Sequence, residues 1–166
     1  MLKLWAPWRI DYLTGEKPEG CVFCDLPKEN NDRENLILYR DAEIFVIMNR
    51  YPYTNGHLLI VPYRHTSEFG DLSSSELAVC MKLLQTSQKH LLATMRPEGF
   101  NIGLNLGKVA GAGIHEHLHF HIVPRWGGDT NFMPVFSDAR VISQHLLETY
   151  DQLRPHFQGH GPVEEA

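Results

Sequence analysis

The sequence predicts an α+β protein: an antiparallel sheet of about five strands with two main helices packed against it. Three observations carry this expectation. Several short runs have strand character and are separated by turn residues. One long stretch repeats its apolar residues at helical spacing behind a capping signature. One run alternates histidine with apolar residues at a period of two, the period of a strand.

Taken in order, residues 1–20 form an N-terminal arm containing Trp5, Pro7, Trp8 and Arg9, whose tryptophans are expected to pack the arm. Asn35–Tyr39 and Ile44–Met48 read as strands, the second largely buried. Asn49–Gly56 is rich in turn residues, and Asn55-Gly56 is a strong turn signal. His57–Pro62 is a third strand, so the first three fit a meander. Ser73-Ser-Ser-Glu76 matches a capping box, with Ser at the N-cap and Glu at N3. Behind it Leu77, Met81, Leu84, Leu91, Leu92 and Met95 make an apolar helical face with Cys80 beside them, and Arg96-Pro-Glu-Gly99 stops the helix. Phe100–Leu106 reads as a fourth strand, residues 107–113 as a glycine-rich loop, and the histidine run from His117 as a fifth strand. A second helix is expected over about Asp138–Leu153, followed by a flexible tail from Pro155 to Ala166 with no periodicity. His90, His145, His156 and His160 read as exposed or tail residues.

The 166 residues suit one domain, and 43 % hydrophobic content supports a full core. A net charge of −5 argues against a general nucleic-acid binder, which would carry a basic patch. It leaves a small anionic substrate open, because Arg50, Arg64, Lys108 and Arg125 lie near the motifs. Neither a signal peptide nor a run of about 20 apolar residues is found, so a cytoplasmic protein without membrane contact is expected. The three cysteines, with Cys21 and Cys24 close together, suggest metal ligation before disulfides in a reducing compartment.

His117, His119 and His121 share one strand face, about 6.5–7 Å apart from neighbour to neighbour, while Leu118, Phe120 and Ile122 face a core. Imidazoles are poor core residues without partners, so the row points to an anion, a metal or nucleophilic chemistry. Glycines in the preceding loop allow close backbone approach to a ligand, and successive N–H groups can cradle an anion. Imidazole is a competent nucleophile toward phosphorus, and His119, in the middle, is the natural candidate.

His117-Leu-His119-Phe-His121-Ile-Val resembles the His-φ-His-φ-His-φ-φ signature of the histidine triad (HIT) superfamily. Asn49 with Gly56-His57-Leu-Leu-Ile-Val-Pro62 resembles that family's ribose-contacting turn and upstream histidine strand. Asn105 and the glycine loop stand where its phosphate-binding segment lies. The resemblance covers roughly Cys21 to Arg125, and the flanks are similar to a bacterial branch of diadenosine tetraphosphate phosphorylases.

The resemblance implies a HIT domain over 21–137 and a C-terminal helix over 138–154. It implies that His119 attacks the α-phosphorus of a nucleotide to form a nucleotidyl-histidine, which water or phosphate resolves. His121 and His57 would contact the transferred phosphate, with backbone carbonyl contacts orienting His119. Asn49, Asn105, Gly111, Ala112, Gly113 and His121 would bind substrate, a nucleotide or dinucleoside polyphosphate. His121 stands where nucleotide-transferring families carry Gln, so hydrolysis and phosphorolysis both stay open. Zinc-containing relatives imply a structural zinc held by Cys21, Cys24, His65 and His117, with no organic cofactor. Family relatives also imply a homodimer. Asn131 is a candidate contact to a second nucleotide, and Arg125 and Trp126 could border the pocket. Two rivals remain: a metal-dependent hydrolase or oxygenase with the three histidines as ligands, and a nucleotide-binding module without turnover.

Overall fold

The structure is a computed structural model, and it describes residues 20–129 and 142–158. A one-turn helix α1 (Val22–Asp25) opens it. The sheet comprises β1 (Ile37–Arg40), β2 (Ile44–Met48), β3 (Leu58–Pro62), β4 (Gly99–Leu104) and β5 (Phe120–Arg125). A long helix α2 (Ser74–Met95) separates β3 from β4, and α3 (Leu146–Gln158) follows β5. All strand pairs are antiparallel, in the order β1-β2-β3-β5-β4.

The register explains how the histidine strand is placed. Leu59 pairs with Ile47 on one side and with His121 on the other, and His121 pairs onward with Gly103. The row Ile47–Leu59–His121–Gly103 therefore lies on one face. Because Gly103 carries no side chain, the space beside His121 stays open. The alternate row, Val46–Ile60–Phe120, lies on the other face and is fully apolar. Phe69, just ahead of α2, meets Phe120 edge-on at 6.3 Å. Leu118, Phe120 and Ile122 are buried, as the alternation requires.

Helix α2 begins with the expected capping box: Glu76 N–H donates to Ser73 Oγ, and Ser73 N–H donates to Glu76 Oε2. It ends at Arg96 in the left-handed region. Its buried face differs from the expected one. Leu84, Leu91 and Cys80 are buried, but Met81 (46 %) and Leu92 (44 %) are exposed, and Leu83, Ser87 and His90 take their places. The reason is the second helix. Phe157 of α3 meets His90 edge-on at 4.6 Å, which rotates the contact stripe toward that side.

Helix α3 itself departs from expectation. Residues 142–145 are not helical, so the helix starts at Leu146 rather than near Asp138, and it runs through Pro155 to Gln158. Phe157 (2 % exposed) belongs to the core, not to a tail. Pro155 lies inside this helix and leaves the Asp151 carbonyl without its usual backbone N–H donor. His90 is likewise buried, whereas His145 and His156 are exposed. Tyr150 Oη donates to Ile37 O, and Arg33 grips Asp151 with two hydrogen bonds of 2.9 and 2.8 Å, so α3 is locked onto β1 and the loop before it. Trp5, Trp8, Asn131 and His160 lie outside the described residues. No helix among the described residues is long and apolar enough to cross a membrane.

Candidate active site and metal centre

Strand β5 becomes ladder-bonded only at Phe120, where Ile60 and Leu104 face it from either side. His117 and His119 precede that point. Their segment is held by other contacts: Leu118 N–H donates to Thr66 O at 2.7 Å, and His117 Nε2–H donates to Pro62 O at 2.7 Å. All three triad histidines and His57 are buried.

Their hydrogen bonds determine tautomers. His119 Nδ1 lies 2.8 Å from His117 O, a carbonyl that can only accept, so Nδ1 carries the proton and Nε2 carries the lone pair. Burial lowers the pKa of His119 below the ordinary histidine value, with the His117 carbonyl opposing, so the ring is neutral at neutral pH. A second chain starts at a peptide group. Tyr53 N–H donates to His57 Nδ1 at 3.2 Å, which puts the His57 proton on Nε2. That proton points at His121 Nδ1, 2.9 Å away, which in turn puts the His121 proton on Nε2. His121 Nε2 is buried and has no hydrogen-bond partner. The site thus offers a neutral N–H donor close beside a nucleophilic nitrogen, with ring centroids 4.8 Å apart. Burial, then the neighbouring His119, pushes the His121 pKa down to about 4.

Asn49 approaches His57 Nδ1 at 3.3 Å through its side-chain nitrogen and receives Tyr51 N–H on its oxygen. Asn105 directly follows Leu104, whose strand partner Phe120 directly follows His119. In the glycine loop, Gly107 and Gly111 have φ of +79° and +89°, where a side chain would be strained. Ala110 and Ala112 donate to Gly107 O and Gly111 to Lys108 O, so these N–H groups close the loop on itself instead of forming an open cradle. Of the basic residues near the motifs, Arg64 pairs with Glu76 and Arg125 with Asp129 and Asn101, while Arg50 donates to Glu34 O.

A four-residue cluster stands behind the triad. The ligand-capable atoms of Cys21, Cys24, His65 and His117 all lie within 4.8 Å of one another. The His65 Nδ1–His117 Nδ1, Cys21 Sγ–His117 Nδ1 and Cys24 Sγ–His65 Nδ1 distances are each 3.3 Å, and Cys24 Sγ–His117 Nδ1 is 3.5 Å. Tetrahedral zinc, with sulfurs at about 2.3 Å and nitrogens at about 2.0–2.1 Å, sets ligand–ligand edges of roughly 3.3–3.8 Å. Hydrogen bonds alone do not account for the arrangement. His117 has its proton committed to Pro62 O, so its Nδ1 lone pair faces two sulfurs and another ring nitrogen together. The Pro62 carbonyl is also the kind of outer partner that fixes a metal-bound imidazole. The donor set fits zinc. It takes in His117 but neither His119 nor His121, so the three alternating imidazoles do not converge on one ion, and the rival reading of a three-histidine metal site fails.

Sequence reasoning missed three participants. Phe23, between the paired cysteines, is 3 % exposed and meets His117 at 5.5 Å and His119 at 5.0 Å. Tyr53 lies against His57 at 4.7 Å and nearly parallel to His121 at 6.1 Å. Glu76 is buried and binds Arg64, next to His65 of the four-residue cluster. The apolar residue inside Cys-x-x-Cys was a signal for the first; the capping signature marked Glu76 only as a helix cap, and nothing in the sequence marked Tyr53. His115 sits 3.8 Å from Glu116 and joins neither cluster.

An antiparallel five-stranded sheet, a buried histidine row and a paired upstream histidine define the histidine triad class. The HIT domain family matches residues 30–128, and the chain belongs to that family. It is 40 % identical over 156 residues to an AP-4-A phosphorylase of Mycobacterium tuberculosis, covering 89 % of this chain and 80 % of that protein. It is 29 % identical over 106 residues to the adenosine 5'-monophosphoramidase hnt1 of Schizosaccharomyces pombe, covering 64 % and 74 %. A Zn-bound histidine triad family protein from Mycobacterium smegmatis superposes with a TM-score of 0.67 at 28 % identity, covering 84 % of this chain and 94 % of that one.

Proposed function

We propose that this protein is a nucleotidyl hydrolase or transferase acting at the α-phosphate of a dinucleoside polyphosphate, with diadenosine tetraphosphate as the substrate to test first. The observation that carries the reading is the His119 tautomer: Nδ1–H is held by His117 O, and Nε2 is left neutral and nucleophilic. His119 Nε2 attacks the α-phosphorus. The new P–N bond forms as the bridging P–O bond breaks, and its electron pair leaves with the departing nucleotide. The ring becomes cationic in this step, and its Nδ1–H bond to the His117 carbonyl strengthens accordingly. His121 Nε2–H donates to a phosphate oxygen as negative charge develops there. His57 has both ring nitrogens engaged within the protein, so its part is to hold the His121 tautomer in place of the direct phosphate contact the family resemblance implies. Water or inorganic phosphate then breaks the P–N bond.

Asn49 binds the ribose, and Asn105 with Gly111, Ala112 and Gly113 binds the phosphate chain. Because three loop N–H groups are already engaged, the loop must open or contribute through the remaining ones. Cys21, Cys24, His65 and His117 hold one structural zinc, which fixes the segment around His117. The M. smegmatis protein, described as Zn-bound, supports this. Two thiolate ligands suit the reducing cytoplasm. The chain forms a homodimer; β4 is an edge strand with Ile102 exposed, which suits pairing of two sheets.

The test is incubation with diadenosine tetraphosphate, with and without inorganic phosphate, followed by anion-exchange separation. ADP and ATP formed only with phosphate identify a phosphorylase. AMP and ATP formed regardless of phosphate identify a hydrolase. No turnover under either condition overturns the substrate assignment, and turnover unchanged in His119→Ala overturns the mechanism.

A further inference from the structure

The residues that place His119 are not those of the sheet. The ladder ends at Phe120, so the nucleophile has no strand partner to fix it. What surrounds it comes from the metal cluster. The carbonyl that sets its tautomer belongs to His117, a ligand-capable residue of the cluster. The peptide between them is pinned by Thr66 O, next to His65. The ring packed against it at 5.0 Å is Phe23, which lies between the two cysteines of Cys21-Val-Phe-Cys24 that supply both thiols. Phe23 also meets His117 at 5.5 Å and Phe45 at 6.5 Å, so it is wedged between the cluster, the nucleophile and the sheet. Helix α1 is a single turn and cannot hold this ring by its own backbone.

We propose that Phe23 is a positioning residue through which the Cys21–Cys24–His65–His117 centre holds the His119 ring in its attacking orientation, so that metal occupancy and nucleotide binding are thermodynamically coupled. Metal bound by the two thiols clamps α1 and presses Phe23 onto His119; bound at His117, it fixes the carbonyl that holds Nδ1–H. Coupling is reciprocal. A ligand that requires His119 in this orientation must make the metal harder to remove. The inference rests on the nucleotide reading only for that reciprocal effect.

Two measurements on the full chain test it. The first follows the 15N signals of the His119 ring by NMR in zinc-loaded protein, metal-stripped protein and zinc-loaded Phe23→Leu. Expected is one tautomer, protonated at Nδ1, in the first, and averaging toward both tautomers in the other two. One unchanged tautomer in all three overturns the proposal. The second measures the equilibrium zinc affinity by competition with a chromogenic chelator, with and without AMP at a concentration that saturates each protein. Expected is at least about fivefold tighter zinc binding with AMP in the wild type, the lower end of ordinary coupling between sites. That gain should be lost in Phe23→Leu, whose zinc stoichiometry is kept and whose AMP affinity falls because the ring must be ordered on binding. Equal zinc affinity with and without AMP in wild type that binds AMP, or the full gain in Phe23→Leu, overturns it. If stripped protein unfolds, the zinc affinities decide. If AMP does not bind, the nucleotide reading fails and the ring spectra decide the coupling alone.

Discussion

His121 should make this protein acid-sensitive in a defined window. Its Nδ1 accepts from His57 and its Nε2–H is buried, so a second proton must enter on Nδ1, directly against His57 Nε2–H. His57 cannot turn its tautomer around to accommodate this without losing Tyr53 N–H from its own Nδ1. Burial, then the neighbouring His119, sets the His121 pKa at about 4, against about 6.5 in the unfolded chain. The folded pKa is the lower one, so below pH 6.5 the unfolded state binds more protons. The contribution to stability is complete above pH 6.5, declines as pH falls, and is fully lost below about 4. Between pH 7.5 and pH 5 the loss from this one group is about 2 kcal/mol. Urea unfolding of wild type and His121→Gln at both pH values isolates it, because other groups titrate alike in both proteins. Wild type should lose about 2 kcal/mol more than the variant. Equal losses, within about 0.5 kcal/mol, would refute the buried neutral imidazole and the tautomer chain built on it.

Cys21→Ser should bring zinc from near one per chain to well below that, measured by metal analysis of protein purified without chelator, with a lowered melting temperature. Full zinc content in that variant would remove Cys21 from the ligand set. Phe157→Ala should cost about 3–5 kcal/mol in urea unfolding, since its ring is enclosed by α2 and α3; a residue of a frayed tail would cost almost nothing. Gly56→Ala should cost about 1–3 kcal/mol, because φ is +77° and a Cβ would lie 2.7 Å from Met95 Sδ. A change below about 0.5 kcal/mol would show that the turn before His57 adapts freely.

The sheet was legible because its strands are short and uniform in character. Ile44–Met48 is found where its apolar run places it, and Leu118, Phe120 and Ile122 are buried as a period of two demands. The α2 capping box was legible for the same local reason: both partners sit within four residues. The metal cluster was reachable through family resemblance, since Cys24 and His65 are 41 residues apart and no local pattern joins them. Errors arose where tertiary packing overrides periodicity. Met81 and Leu92 fit a helical stripe, yet α3 draws His90 and Ser87 inward instead. The end of α3 was misread because the segment from Pro155 shows no periodicity of its own, while Phe157 is drawn into the core by packing against His90 of α2. The Phe23 and Tyr53 contacts depend on ring placement in three dimensions, which spacing does not encode.

The chain of imidazoles leading to His121 has a blind end. It starts at the Tyr53 peptide N–H, a group that does not ionise, and every proton along it points the same way. Such a chain polarises but cannot conduct: once His121 gave up its Nε2 proton, nothing behind it could refill the site. On the proposed assignment it therefore steadies charge on phosphate oxygen and supplies no acid to the bond being broken. Departing groups stable as anions, such as a nucleoside di- or triphosphate, would leave unaided, whereas alkoxides, whose conjugate acids are weak, would return to phosphorus faster than they escape. Substrate choice would then follow the basicity of what leaves as much as the shape of what binds.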